Sequence, residues 1–232
     1  MGSQPEFDQY VKDYDKLHAQ NIKLSGEDPN YFAKYKIQDL SSHFLKKNKN
    51  VKNILDFGSG IGNSVPHFKN LFKKANLFCA DVSLLSLKSS HQKNKNQNNF
   101  IQYDGNTLPF QNNVFDLIFA SGVFHHIPHN HHKHLLTECY RTLSNNGMLS
   151  IYEHNPYNPL TLKAVNECEF DQDAVLVNPY ALQKTFKEAG FVNVKLKFKV
   201  FFPHFLRKLR FMEKHMEFIP FGAQYCVYGE KA

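Results

Sequence analysis

Apolar and polar positions along the 232-residue chain change period in a regular alternation. A polar opening dotted with Tyr10, Tyr14, Tyr31, Phe32 and Tyr35 leads into a helix-like stretch over Asn30–Lys47. Val51–Phe57 is a short apolar run that stops at Gly58, the pattern of a buried strand. Ser64–Lys74 then sets Val65, Phe68, Leu71 and Phe72 at helical spacing. Asn76–Ala80 reads as a second strand ending at Asp81, and Ser83–Ser90 as a helix followed by the polar tract His91–Asn99. Phe100–Tyr103 and Phe115–Ala120 read as the third and fourth strands. Helical spacing returns over His134–Leu143 and stops at the turn residues Ser144–Gly147, after which Met148–Glu153 forms a fifth strand. Asn178 and Pro179 open a helix over Tyr180–Ala189 that Gly190 closes. Phe191–Val200 alternates as a sixth strand, and Gln224–Gly229 is a short last one.

Strands alternating with helices predict an α/β fold with a mainly parallel sheet covered on both faces. The length suits one domain over residues 1–232, with 1–47 as a helical cap segment and 48–232 as the core. In such sheets ligands bind beyond the carboxyl ends of the strands, so the residues just after each strand carry the chemical information.

After the first strand come Asp56, Gly58, Ser59, Gly60, Gly62 and Asn63. Glycines allow tight turns and a close approach of backbone to ligand. The dinucleotide fingerprint wants glycine at the first, third and sixth positions of such a run, and here the sixth is Asn63. Asp56 adds a carboxylate at the mouth, which repels a diphosphate and attracts the ammonium of a methionine moiety. Asp81, about twenty residues beyond the loop, can accept both hydroxyls of a ribose. Helix N-capping is its other reading, although Ser83 can do that job. After the third strand, Asp104 and Gly105 precede Leu108–Phe110, an acid with apolar neighbours suited to an adenine edge.

The segments Ile54–Gly62, Ala80–Ser83, Asp104–Phe110 and Phe115–Ile127 resemble, in order, the motifs of the class I S-adenosylmethionine-dependent methyltransferases, in the small-molecule branch called type 11 or type 12. The resemblance is dense over residues 50–155. It implies a Rossmann-like, seven-stranded, mostly parallel sheet whose last strand runs antiparallel. It also implies S-adenosylmethionine as cofactor. Asp56 and the loop of Gly58, Ser59, Gly60 and Gly62 would hold its methionine end, Asp81 and Val82 its ribose, and Asp104 and Gly105 its adenine. Ala120 and Ser121 would line the sulfonium side.

Methyl transfer needs an aligned nucleophile and, where that carries a proton, a base. Candidates should project from the ends of the fourth and fifth strands. Glu153 and His154 are the preferred pair, with His154 as base and Glu153 positioning it or the substrate. His125 is a further base or substrate contact. The neighbouring His126, His129, His131, His132 and His134 invite a metal reading, but no cysteine or carboxylate stands beside them in sequence, so no metal is expected. His129–His134 reads as a solvated helix start. Asn155 and Asn158 either bond substrate or satisfy backbone groups of a turn. The segment Asn166–Asp173 and the aromatic N-terminal segment are candidate lids.

The formal charge of +7 invites a nucleic-acid partner. The lysines are spread through Lys46–Lys52, Lys69–Lys74 and Lys93–Lys95 among asparagines, which reads as solvated loops. Phe201–Phe221 mixes apolar and basic residues: it fits a helix packed on the sheet with a basic outer face, or a segment lying on a membrane. No window reaches the roughly 18 apolar residues of a membrane helix. The N-terminus shows no secretory or myristoylation signal, with Glu6 where the latter wants Ser or Thr. Cys79, Cys139, Cys168 and Cys226 lack paired spacing and are expected as buried thiols, which suits a cytoplasmic protein. The acceptor is expected to be a small molecule methylated at oxygen or nitrogen, carbohydrate or lipid-linked compounds included. An RNA methyltransferase, a nicotinamide oxidoreductase and a non-catalytic cofactor-binding module are the rival readings.

Overall fold

The computed structural model describes residue 8 and residues 25–46, 49–95, 99–168, 171 and 173–232. Tyr10, Tyr14, Lys47, Glu169, Phe170 and Gln172 lie outside the described residues. Seven strands form one sheet: β1 Asn53–Phe57, β2 Asn76–Asp81, β3 Phe100–Gln102, β4 Phe115–Ser121, β5 Leu143–His154, β6 Val192–Lys199 and β7 Gln224–Glu230. Their spatial order is β3-β2-β1-β4-β5-β7-β6. The pairs β1/β2, β1/β4, β2/β3 and β4/β5 are parallel, and β7 runs antiparallel between β5 and β6. This is the expected Rossmann-like sheet with an antiparallel last strand.

Among the described residues the α-helices are α1 Pro29–Lys46, α2 Val65–Leu71, α3 Leu84–Lys93, α4 His129–Thr142, α5 Pro159–Asn166 and α6 Pro179–Glu188. Strand residues alternate between two cores because successive side chains leave opposite faces of the sheet. Leu117 and Phe119 of β4 join Ile37, Leu40 and Phe44 of α1 and Phe68 of α2. Ile118 and Ala120 join Leu136 and Cys139 of α4 and Leu182 and Phe186 of α6. Helices therefore cover both faces. Two differences from the sequence reading are local. Helix α4 takes in the whole histidine run from His129 and ends at Thr142, and the expected turn Ser144–Gly147 is drawn into β5. Within α4, His132 is buried, its Nε2 2.9 Å from the carbonyls of Phe124 and Ile127, so this histidine braces the preceding turn and is not solvated.

Helix α1 is tied across the sheet through Asp39. Its carboxylate accepts from Tyr152 Oη of β5 at 2.6 Å and from Lys199 Nζ of β6 at 2.9 Å, and Lys199 also reaches Glu217. The buried Lys199 ammonium is held charged well above the ordinary lysine range: burial alone would lower it, but the Asp39 charge and the Glu217 bond overcome that.

Candidate functional site

The strand order reverses direction between β1 and β4, and the chemistry gathers at the carboxyl ends there, as expected for a doubly wound sheet. Asp56 lies on β1 beside Cys79 and Phe119 and is 2% exposed. Its Oδ2 has no hydrogen-bond partner among the described residues. Burial, helped by the nearby Asp81 charge, pushes its carboxyl up to about 8.

The glycine loop is folded onto the end of β2. Gly58 and Ser59 both donate their N–H to Ala80 O, at 2.8 and 3.1 Å, and Gly60 N–H donates to Asp81 Oδ2 at 2.8 Å. Gly58 has φ +68°, and a Cβ there would stand 2.4 Å from a Val123 methyl. Gly62 has φ +80°, and its Cβ would stand 2.0 Å from Ser90 Oγ. Neither position admits a side chain. Asp81 Oδ1 also accepts from Ser83 N–H at 2.9 Å, while Ser83 Oγ caps α3 by accepting from Ser86 N–H and donates to Asp8. Capping thus belongs to Ser83, and Asp81 holds the loop. Val82 and Gly105 face each other beyond β2 and β3. Asp104 is exposed, and its Oδ1 accepts from Asn106 and Thr107 N–H, bonds that lower its pKa and fold the turn.

A buried, partnerless carboxyl oxygen beside a loop that only glycine can build fits the amino group of S-adenosylmethionine. The Asp81 carboxylate next to it fits the ribose.

Across the crevice, Ser121 Oγ at the end of β4 accepts from Lys36 Nζ of α1 at 2.6 Å. Burial lowers Lys36 to about 8, against the pull of Glu153. The sequence reading missed Lys36, because one lysine within an amphipathic helix carries no local signal. The expected Glu153–His154 pair is corrected. Glu153 Oε2 meets His125 Nδ1 at 2.5 Å, and its Oε1 accepts from the N–H groups of Val123 and Phe124 at 3.0 and 2.8 Å. Glu153 therefore orients His125, whose ring lies edge-on to that of His154 with centroids 5.3 Å apart. Burial alone would raise Glu153, yet His125 and the two N–H donors hold it well below the usual carboxylate range. Burial opposes charge on His125, but Glu153 and Asp171 together raise it to about 9. Burial and the His125 charge lower His154 to about 4.

The absence of carboxylates around the histidines, expected from their sequence neighbours, is also corrected. Asp171 arrives from the segment after α5, which is fixed to the turn Phe124–His126 by Val175 N–H donating to His125 O at 2.8 Å. Its Oδ1 stands 3.4 Å from His125 Nε2 and 3.3 Å from His126 Nε2. Of the candidate lid, this residue reaches the site. Asn155 and Asn158 serve the fold: Asn155 Nδ2 donates to the carbonyls of Pro220 and Gly222, and Asn158 caps α5 and donates to Phe221 O. All four cysteines are buried, and no disulfide joins them.

Residues 201–221 do not form a regular sheet-packed helix, one of the two readings their pattern allows. Tight 3₁₀ turns over His204–His215, bent at Leu206, are anchored by buried Glu213, which accepts from the N–H groups of Phe201 and Phe202. Phe205, Phe211 and Phe218 are left 80%, 70% and 79% exposed, beside exposed Arg207, Lys208 and Lys214. Among the described residues no helix is long and apolar enough to cross a membrane.

Comparison with known proteins agrees with this geometry. Residues 55–151 match the family model described as a methyltransferase domain. An uncharacterized protein of Methanocaldococcus jannaschii is 34% identical over 150 residues, 61% of this chain; the match spans 59% of that relative's length. A methyltransferase from Thermotoga maritima superposes with a TM-score of 0.67 at 17% identity, covering 98% of each chain. One from Archaeoglobus fulgidus gives 0.61 at 18% identity, over 84% of this chain and 94% of that one. A phosphoethanolamine N-methyltransferase from Haemonchus contortus, solved with S-adenosylhomocysteine, gives 0.63 at 15% identity over all of this chain and 60% of its own. Residues 55–151 thus carry a methyltransferase domain, and the whole sheet has the fold of the S-adenosylmethionine-dependent methyltransferases.

Proposed function

We propose that this protein methylates a small-molecule acceptor held beyond the ends of β4 and β5. The observation that carries the reading is the orphaned Oδ2 of Asp56 in the glycine cradle, one strand away from a cluster of polar side chains around Ser121. Asp56 binds the cofactor's amino group, Asp81 its ribose hydroxyls, and Val82, Asp104 and Gly105 border its adenine. Ala120 and Ser121 line the side from which the acceptor approaches. Once bound, S-adenosylmethionine supplies a methyl group made electrophilic by its sulfonium.

The chain's own task is then alignment and proton removal. The neutral ring of His154 has a lone pair available at neutral pH, Lys36 gains one as pH rises through about 8, and Glu153 keeps His125 in place beside His154 and Asp171. The packing of α1 into the shared core supports reading the chain as one domain with α1 as cap. The test is calorimetric titration with S-adenosylhomocysteine, S-adenosylmethionine and NAD on wild type and Asp81→Ala. Adenosyl binding that weakens sharply in the variant supports the reading. A preference for NAD reopens the oxidoreductase alternative.

The apolar and basic face of residues 201–221 supports a second element of the reading, contact with an anionic membrane surface. Exposed aromatic rings flanked by cations match an interface where rings sit at headgroup depth and lysines meet lipid phosphates. A lipid-linked acceptor would be delivered there.

A further inference from the structure

Between the ends of β4 and β5, donor atoms from three separate segments converge. One donor each from His125, His154 and Asp171 lie within 4.8 Å of one another, in a setting that is buried or nearly so. Asp171 Oδ1 is the informative atom. Two histidine nitrogens stand at ion-pair distance from it, 3.4 and 3.3 Å, and no hydrogen bond of good geometry reaches this buried oxygen among the described residues. A buried carboxylate oxygen left in that state is costly.

The orientation of His125 sharpens the point. Its Nδ1 meets Glu153 Oε2 at 2.5 Å, and Glu153 is itself fixed by two backbone N–H groups. With Nδ1 held by that carboxylate, Nε2 is the ring nitrogen that faces Asp171. A proton on Nε2 or a metal cation between the two atoms satisfies that 3.4 Å contact, and either takes the same place. The His125–Asp171 distance is that of two ligands on one metal, since donors about 2.0–2.2 Å from a tetrahedral ion are about 3.3–3.6 Å apart, and a His154 donor lies within 4.8 Å of both. A carboxylate behind a ligating imidazole is also the usual outer support of such a site.

We propose that His125, His154 and Asp171 bind one divalent transition-metal ion, with Glu153 as the positioning residue behind His125 and His126 bordering Asp171. Two imidazoles and a carboxylate favour zinc, manganese, iron(II) or cobalt(II) over magnesium or calcium, which prefer all-oxygen shells. Three protein ligands leave positions open for an acceptor. The acceptor class this selects carries a hydroxyl oxygen able to coordinate the ion, whose bound proton becomes easier to lose. With His154 on the ion, Lys36 is left to take that proton. The acceptor part of this inference rests on the methyltransferase reading above; the ion site itself does not.

The experiment is elemental analysis of the full chain, purified without metal-affinity resin, before and after chelation and after separate reconstitution with zinc, manganese, iron(II) or cobalt(II). One ion per chain that survives gel filtration, with visible d–d bands for cobalt, is the expected result. His125→Gln and Asp171→Asn should each lose the ion, and Glu153→Gln should weaken it about 10–100-fold. Circular dichroism and S-adenosylhomocysteine binding, read on the same samples, establish that the variants fold. If His125→Gln does not fold, Asp171→Asn carries the test, since it lies on a peripheral segment. A wild-type chain that retains none of the four ions overturns the proposal, as does a folded Asp171→Asn that still holds one. Loss of adenosyl binding in wild type with the ion retained would instead sink the cofactor reading and leave the metal site standing.

Discussion

Asp56→Asn asks whether the cofactor's cationic end is what the buried carboxyl meets. In the protein alone, burial and the Asp81 charge raise Asp56 to about 8 from an ordinary 3.8. A carboxyl whose pKa rises on folding is bound to a proton in the native state. Stability is therefore highest below the unfolded value and falls as pH climbs from there toward 8. An ammonium beside the group reverses the preference, because opposite charge favours the ionised form. At pH 7 a group of this pKa is about nine-tenths protonated, so binding of S-adenosylhomocysteine should release about 0.9 of a proton. Affinity should rise about tenfold per pH unit below 8 and level off above it, about 90-fold in all between pH 6 and pH 9. Calorimetry in buffers of differing ionisation enthalpy reads the proton count directly. Asp56→Asn keeps the shape, removes the charge, and should flatten the profile while weakening binding at pH 8. A wild-type affinity that stays level from pH 6 to pH 9, with no proton released, would refute the assignment.

Other outcomes follow from the same structure. Gly62→Ala sets a Cβ 2.0 Å from Ser90 Oγ at φ +80°, and should cost about 2 kcal/mol, a melting decrease of about 4–8 °C, together with adenosyl affinity. Lys199→Met removes the buried ammonium that bridges Asp39 and Glu217, and urea unfolding should show a loss of about 3 kcal/mol. A Phe205→Ala/Phe211→Ala/Phe218→Ala variant should keep its melting temperature and adenosyl affinity while losing co-sedimentation with phosphatidylglycerol vesicles. Equal sedimentation of wild type and variant would remove the membrane contact.

Much of the fold was legible because it depends on local pattern. Short apolar runs, each ending at Gly58, Asp81, Asp104 or Ser121, mark strands whose ends face one crevice, and the acids beside the glycine loop were found by position alone. The segment 201–221 stayed open between two readings for a physical reason: alternating apolar and basic residues suit a packed helix and an exposed interfacial segment alike, and only the tertiary structure separates them. Pairing of buried polar groups was equally hidden. Glu153 and His154 are adjacent in sequence, but Glu153 bonds His125, which the turn after β4 brings beside both residues.

The sequence by itself determined the order of elements, the parallel sheet and the glycine loop with its neighbouring acids, since each is written in spacing of a few residues. Tertiary structure alone decided what surrounds the acceptor. Lys36 reaches Ser121 across 85 positions of chain, and Asp171 meets His125 through a segment that leaves the sheet and returns. No local pattern encodes such contacts, because they arise from where packed helices and strands happen to end in space.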